Sequence, residues 1–195
     1  KYNCRIQDIK ENCFLIDAPF LLLHDTDIEF LISNDDEVFA CSSKIIGHKK
    51  ENNINLSIIS MPYSVMKVQR REYYRLTIAE PIKYSSLPLG KHYKSIHNVP
   101  AEIFSKLKTS VTIDISGGGV KIITNENIAA GRYVILEMDI GETLDLLAVS
   151  IRCEKDENSK QYRVSLKYVK LDNRTRDKII SYIFMKSREL IKANK

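Results

Sequence analysis

The sequence predicts an all-β chain that ends in a helix, and three observations carry that prediction. Short runs rich in Ile, Val, Leu, Phe and Tyr recur at close intervals, separated by Gly, Asn and Asp turn residues. The apolar pattern follows strands through most of the chain and takes helical spacing only near the C-terminus. A composition of 44% hydrophobic and 28% charged residues suits a folded chain and not a disordered one. At 195 residues, one medium domain or two small ones can form.

The elements follow in order. Glu29–Ile32 and Glu37–Cys41 are strand runs flanking the turn-forming Ser33-Asn34-Asp35-Asp36. Ser43–His48 is a further strand, Lys49–Asn53 a polar turn, and Ile54–Ile59 a partly alternating strand. This makes residues 1–68 a small antiparallel β domain, with Lys1 entering in mid-pattern as though the domain began upstream. Met61-Pro62-Tyr63 ends the unit, and Ser64–Gln69 leads into the second domain, 69–195. There Arg75–Tyr84 reads as a strand, with Pro81 at a bulge or edge. Residues 86–108 read as a loop or long hairpin, with a short helical turn over Ala101–Lys108. Strands follow at Ser110–Ile115, Gly119–Thr124, Tyr133–Asp139, Thr143–Cys153 and Gln161–Leu171, a succession that favours an antiparallel barrel over a doubly wound α/β fold. Ile179, Ile180, Ile183 and Phe184 then share one helix face, capped by Asp172 or Asn173 and running to about Leu190.

Composition excludes several function classes. No run approaches the roughly eighteen apolar residues of a membrane-spanning helix. Cys4, Cys13, Cys41 and Cys153 lack paired spacing, which fits a reducing cytoplasm better than a disulfide scaffold or a metal site. His24, His48, His92 and His97 form no HExxH pattern. The net charge of +5 is unevenly spread: residues 1–69 hold 7 basic and 10 acidic side chains, and residues 70–195 hold 23 and 15. The second part is therefore the expected home of a phosphate-bearing ligand.

Two stretches concentrate chemistry. Gln69-Arg70-Arg71-Glu72-Tyr73-Tyr74-Arg75 places three cations within six residues. Planar guanidinium forks suit phosphate oxygens or guanine O6 and N7, and their faces stack on purines. Asp114-Ile115-Ser116-Gly117-Gly118-Gly119 adds a carboxylate able to accept from guanine N1–H and N2–H, and a hydroxyl that either donates to phosphate or braces the turn. The glycines allow unusual backbone angles and leave room for a flat base, or simply make a tight strand-to-strand turn. Neither stretch pairs a nucleophile with a base, so binding is expected and catalysis is not.

Together, Arg71-x-x-x-Arg75 and Asp114-x-Ser116-x-x-Gly119 resemble the PilZ family of cyclic di-GMP receptors over residues 69–185. The resemblance implies a six-stranded antiparallel barrel. It also implies that Arg71 and Arg75 grip phosphate and guanine while Asp114, Ser116 and Gly119 line the guanine surface. The preceding β-rich region is similar to the two-domain YcgR-type flagellar brakes, whose N-terminal domain begins with additional strands. An arginine at the Arg70 position accompanies an intercalated ligand dimer in such receptors, so two ligands per site are expected; the plainer reading is that Arg70 raises local potential or binds the neighbouring domain. The implied partners are cyclic di-GMP and a flagellar motor or switch protein, with cytoplasmic residence, no cofactor and no stable nucleic-acid complex. Two alternatives stand: a nucleic-acid-binding barrel, suggested by the basic second part and by Tyr73-Tyr74 between arginines, and an interaction domain that works without ligand.

Overall fold

The computed structural model describes residues 3–18, 22–33, 37–157 and 159–193. The chain divides into two compact units, Lys1–Arg71 and Glu72–Lys195, so the division falls inside the cationic stretch.

The first unit is a six-stranded antiparallel sheet: β1 (Arg5–Lys10), β2 (Cys13–Asp17), β3 (Asp27–Ser33), β4 (Val38–Glu51), β5 (Ile54–Ser60) and β6 (Ser64–Lys67). Their order is β1-β2-β5-β4-β3, with β6 also paired to β4. Where two strands are expected between residues 37 and 48, a single 14-residue β4 runs through. Its first half pairs with β3 and β6 and its second half, from Ile45 on, with β5, where the register shifts between Ile45 and Gly47. The β4–β5 hairpin turns on Asn52 and Asn53 at φ 49° and 64°. Two successive left-handed residues match the right-handed strand twist, and asparagine tolerates them better than most side chains. Phe14, Ile16, Ile45 and Ile59 form the core. The expected turn at residues 34–36 lies outside the described residues.

The second unit contains β7 (Arg75–Thr77), β8 (Pro81–Ser86), β9 (Lys108–Ser116), β10 (Gly119–Thr124), β11 (Tyr133–Asp139), β12 (Thr143–Lys155), β13 (Tyr162–Tyr168) and α1 (Asn173–Ala193). Strands β8-β9-β10-β13-β12-β11 close on themselves, antiparallel at every pairing, into a six-stranded barrel. β7 lies along β9 beyond the end of β8. The strand expected over residues 75–84 is thus split in two. The Thr112 hydroxyl causes the break by donating to the Ile78 carbonyl (2.5 Å) and accepting from Glu80 N–H (2.9 Å). Pro81, which has no N–H to offer, opens β8.

Ile82, Ile122, Val134, Leu136 and Val164 fill the barrel, each essentially sealed from solvent. Burying such a side chain is worth about 1.5–3 kcal/mol. Ile179, Tyr182 and Ile183 of α1 join the same core. Phe184, expected on that buried face, is instead 52% exposed and stacks parallel to Tyr74 with ring centroids 6.2 Å apart.

The connection from β8 to β9 is not a solvated loop. Two 3-10 segments, Ile96–Asn98 and Ala101–Lys106, shape it. Leu87, Tyr93 and Val99 pack with Ile135 and Leu147 into a second core on the outside of β11 and β12. Lys91, His92, Lys94 and His97 remain exposed there.

Asp172 starts α1, its carboxylate accepting from Thr175 N–H (2.9 Å) and Oγ1–H (2.7 Å). These bonds, the side-chain one first, hold its pKa below the ordinary aspartate value. A depressed folded-state pKa stabilises above the unfolded-state value and loses that contribution as pH falls through the folded-state one. The protection factor of the Thr175 amide should therefore hold down to about pH 4 and fall below it. Asp172→Ala should remove that acid transition and leave the Thr175 amide poorly protected already at neutral pH.

Candidate functional site

The register of four strands assembles one face. Arg75 pairs with Ser116 across β7–β9, Ser116 with Gly119 across β9–β10, and Gly119 with Lys167 across β10–β13. The next row is Thr77, Asp114, Lys121 and Ser165. Directly paired residues share a sheet face, and residues two apart share it too. Leu76, Ile115, Val120 and Leu166, which alternate with these rows, are buried in the core. Arg75, Asp114, Ser116 and Gly119 consequently lie on the outside of the barrel. Arg75 is exposed, Asp114 half-buried and Ser116 buried. Arg70 (exposed) and Arg71 (half-buried) end the first unit, just beyond β6, where Gln69 Nε2 donates to the Arg71 carbonyl at 3.0 Å.

Ser116 is a brace. Its hydroxyl donates to the Gly119 carbonyl (3.0 Å) and accepts from Gly118 N–H (3.4 Å), which locks the β9–β10 turn. The glycines serve close approach and not unusual angles, because none of the three has φ in the left-handed region. A Cβ on Gly117 would lie 2.7 Å from Tyr73 Cδ1 and 3.0 Å from Ile180 Cγ1, and one on Gly118 would lie 3.1 Å from Tyr73 Cδ2. At Gly119 a Cβ would overlap the Leu166 carbonyl oxygen, with the Lys167 Cα only 3.2 Å away. The space over Gly117 and Gly118, expected for a flat base, is thus taken by the Tyr73 ring. Mutual repulsion of the arginines predicts a free 69–75 segment, yet Tyr73 and Tyr74 are packed, one on the glycine turn and the other on Phe184.

Sequence reasoning missed several neighbours. Lys121 and Lys167 add positive charge to the same outer face, Lys121 lying 3.8 Å from Glu154. Arg176 of α1 donates from Nη1 to the Gly117 carbonyl at 2.9 Å and stands 5.0 Å from the centroid of the Tyr73 ring. The Tyr73 hydroxyl donates to Glu72 (2.7 Å), and this bond, followed by partial desolvation, raises its pKa above the usual value. Inside the barrel, burial and then the Asp114 charge push the Tyr168 pKa up.

Among the described residues, no three His, Cys, Asp or Glu side chains gather as metal ligands, and the four cysteines are free thiols. No helix among them is long and apolar enough to cross a membrane. Gly119→Ala should destabilise the second unit by an amount at or beyond the upper end of the roughly 1–3 kcal/mol typical of over-packing, because the obstacle is backbone. Gly118→Ala should cost less, since the Tyr73 ring can shift. Urea unfolding of the two variants checks the order.

The arrangement has relatives. Flagellar protein YcgR matches residues 1–62, and the PilZ domain matches residues 69–185. Among solved structures, the Bacillus subtilis inhibitor of motility MotI/DgrA is 18% identical with a TM-score of 0.71, covering 95% of this chain and 88% of its own. Escherichia coli YcgR, solved in complex with c-di-GMP, is 14% identical with a TM-score of 0.54, covering 98% of this chain and 81% of its own. No curated protein matches the sequence. A closed six-stranded barrel, a terminal helix, and a domain match spanning more than half of the residues together establish that the chain belongs to the PilZ domain family.

Proposed function

We propose that this chain is a receptor for cyclic di-GMP that regulates motility through a protein partner. The observation that carries the reading is the shared outer face of Arg75, Asp114, Ser116 and Gly119, set by strand register in a PilZ barrel. Arg75 offers a fork to phosphate or to the guanine Hoogsteen edge, and Asp114 accepts from guanine N1–H and N2–H. Ser116 keeps the turn in shape, and Gly119 keeps the surface flat. Nothing in this set calls for bond making, so the chain acts as a receptor and not as an enzyme.

Arg71 is four residues from Arg75, a span of no more than about 14 Å. A ligand gripped by both would constrain the connection between the two units and so transmit occupancy to the first. Arg70 would neutralise and stack on a second ligand molecule. The likeness to a motility inhibitor and to YcgR supports a cytoplasmic protein partner, for which we propose the flagellar motor or switch.

Calorimetric titration with cyclic di-GMP tests this directly. Selective binding is expected, with pGpG and single-stranded RNA much weaker. Arg75→Ala should cost about tenfold to a hundredfold in affinity, the worth of a charge-assisted hydrogen bond. Arg70→Leu should change the stoichiometry from two ligands to one. Normal binding by Arg75→Ala would refute the site, and salt-sensitive binding of any RNA strand would favour the nucleic-acid alternative.

A further inference from the structure

β7 is only three residues long and pairs with β9, so Arg75 stands at the last pair of a very short ladder. Such a ladder frays unless its end is held. Extending the register past Arg75–Ser116 brings Tyr74 opposite Gly117 and Tyr73 opposite Gly118. The Tyr73 ring does lie against those two glycines.

Arg176 closes this end from the other side. Its Nη1 holds the Gly117 carbonyl, its Nη2 reaches the Leu171 carbonyl at 3.5 Å, and its guanidinium faces the Tyr73 ring. Ile180, one helical turn on, packs against Gly117. A planar guanidinium can donate from its edge while its face covers an aromatic ring, and a lysine ammonium cannot do both.

We infer that Arg176 is a positioning residue for nucleotide recognition, clamping Tyr73 onto the glycine turn and thereby holding Arg75 in register with Asp114 and Ser116. The inference rests on the cyclic di-GMP reading above. It also makes α1 part of the recognition machinery, since the first two turns of the helix carry both Arg176 and Ile180.

Two measurements on the full chain test it: amide hydrogen exchange without ligand, and titration with cyclic di-GMP. In Arg176→Ala, exchange at residues 75–77 should accelerate at least about tenfold while β11 stays protected. Affinity should fall by about tenfold. Arg176→Lys should rescue neither property, and Tyr73→Phe, which keeps the ring, should retain both. Arg176→Ala combined with Tyr73→Ala should lose no more affinity than either change alone, as expected of a coupled pair.

Unchanged exchange at residues 75–77, or unchanged affinity in an Arg176→Ala chain whose parent binds, overturns the inference and leaves the receptor reading standing. Equal acceleration in β11 for both Arg176 variants marks a general stabilising role and also overturns it. Absence of cyclic di-GMP binding by the unaltered chain overturns the receptor reading, and the inference with it.

Discussion

Closure of the barrel depends on how near β13 can come to the start of β10. Gly119 is paired on both edges, to Ser116 of β9 and to Lys167 of β13. Any side chain there would overlap the Leu166 carbonyl, so the seam shuts only because the position carries hydrogen alone. Past the strand end, Tyr168 N–H donates to the Gly118 carbonyl at 3.0 Å and extends the same seam. Once it is shut, Ile122, Val164 and Leu166 are sealed inside, and α1 adds Ile179 and Ile183 to the core they form. Of the proposed ligand residues, Gly119 lies on this seam, Ser116 and Asp114 on the neighbouring β9, and Arg75 on β7 beyond it. Closure thus fixes the strands that carry Asp114, Ser116 and Gly119, and the end of β7 with Arg75 rests on the Tyr73–Arg176 contact.

The outside of the barrel is divided in use. The long excursion after β8 clads β11 and β12, whose outward Ile135 and Leu147 would otherwise lie bare. The rows on β7, β9 and β10 carry instead Arg75, Thr77, Asp114, Ser116 and Lys121. An apolar exterior invites a permanent cover, whereas a charged one can stay wet until a charged ligand arrives. The excursion therefore serves the packing of the barrel and lies away from the face that the receptor reading uses.

Much of this was legible in the residues, and the gaps have physical causes. Gly119–Thr124 and Tyr133–Asp139 are strands over the residues expected, because every second residue of each turns into the core. β1 leaves no periodic signal in the sequence because all six of its residues are exposed and carry no buried stripe. The sequence divides β4 into two strands because Ser42, Ser43 and Lys44 interrupt its apolar run. The split between β7 and β8 comes from one hydroxyl, Thr112, more than thirty residues downstream. At the candidate site, Asp114, Ser116 and Gly119 stood out because their chemistry is local. Arg176 did not, since its bond to Gly117 spans 59 residues and no pattern in a single sequence announces such a pair. The glycine run is plain in the sequence, but its cause is crowding by Tyr73, Ile180 and Leu166 and not backbone freedom.

β1 also bears on how the first unit avoids sticking to itself. An unpaired strand edge is a template for other chains, and natural sheets blunt it with charge and irregularity. β1 carries Arg5, Asp8 and Lys10 and a register shift between Ile6 and Asp8. Behind it lies β2, whose Phe14, Leu15 and Ile16 are all buried. Among the described residues, this polar strand borders the sheet on that side. Stripped of it, the sheet would end on an apolar run of high strand propensity, the kind of edge from which intermolecular β-aggregation grows.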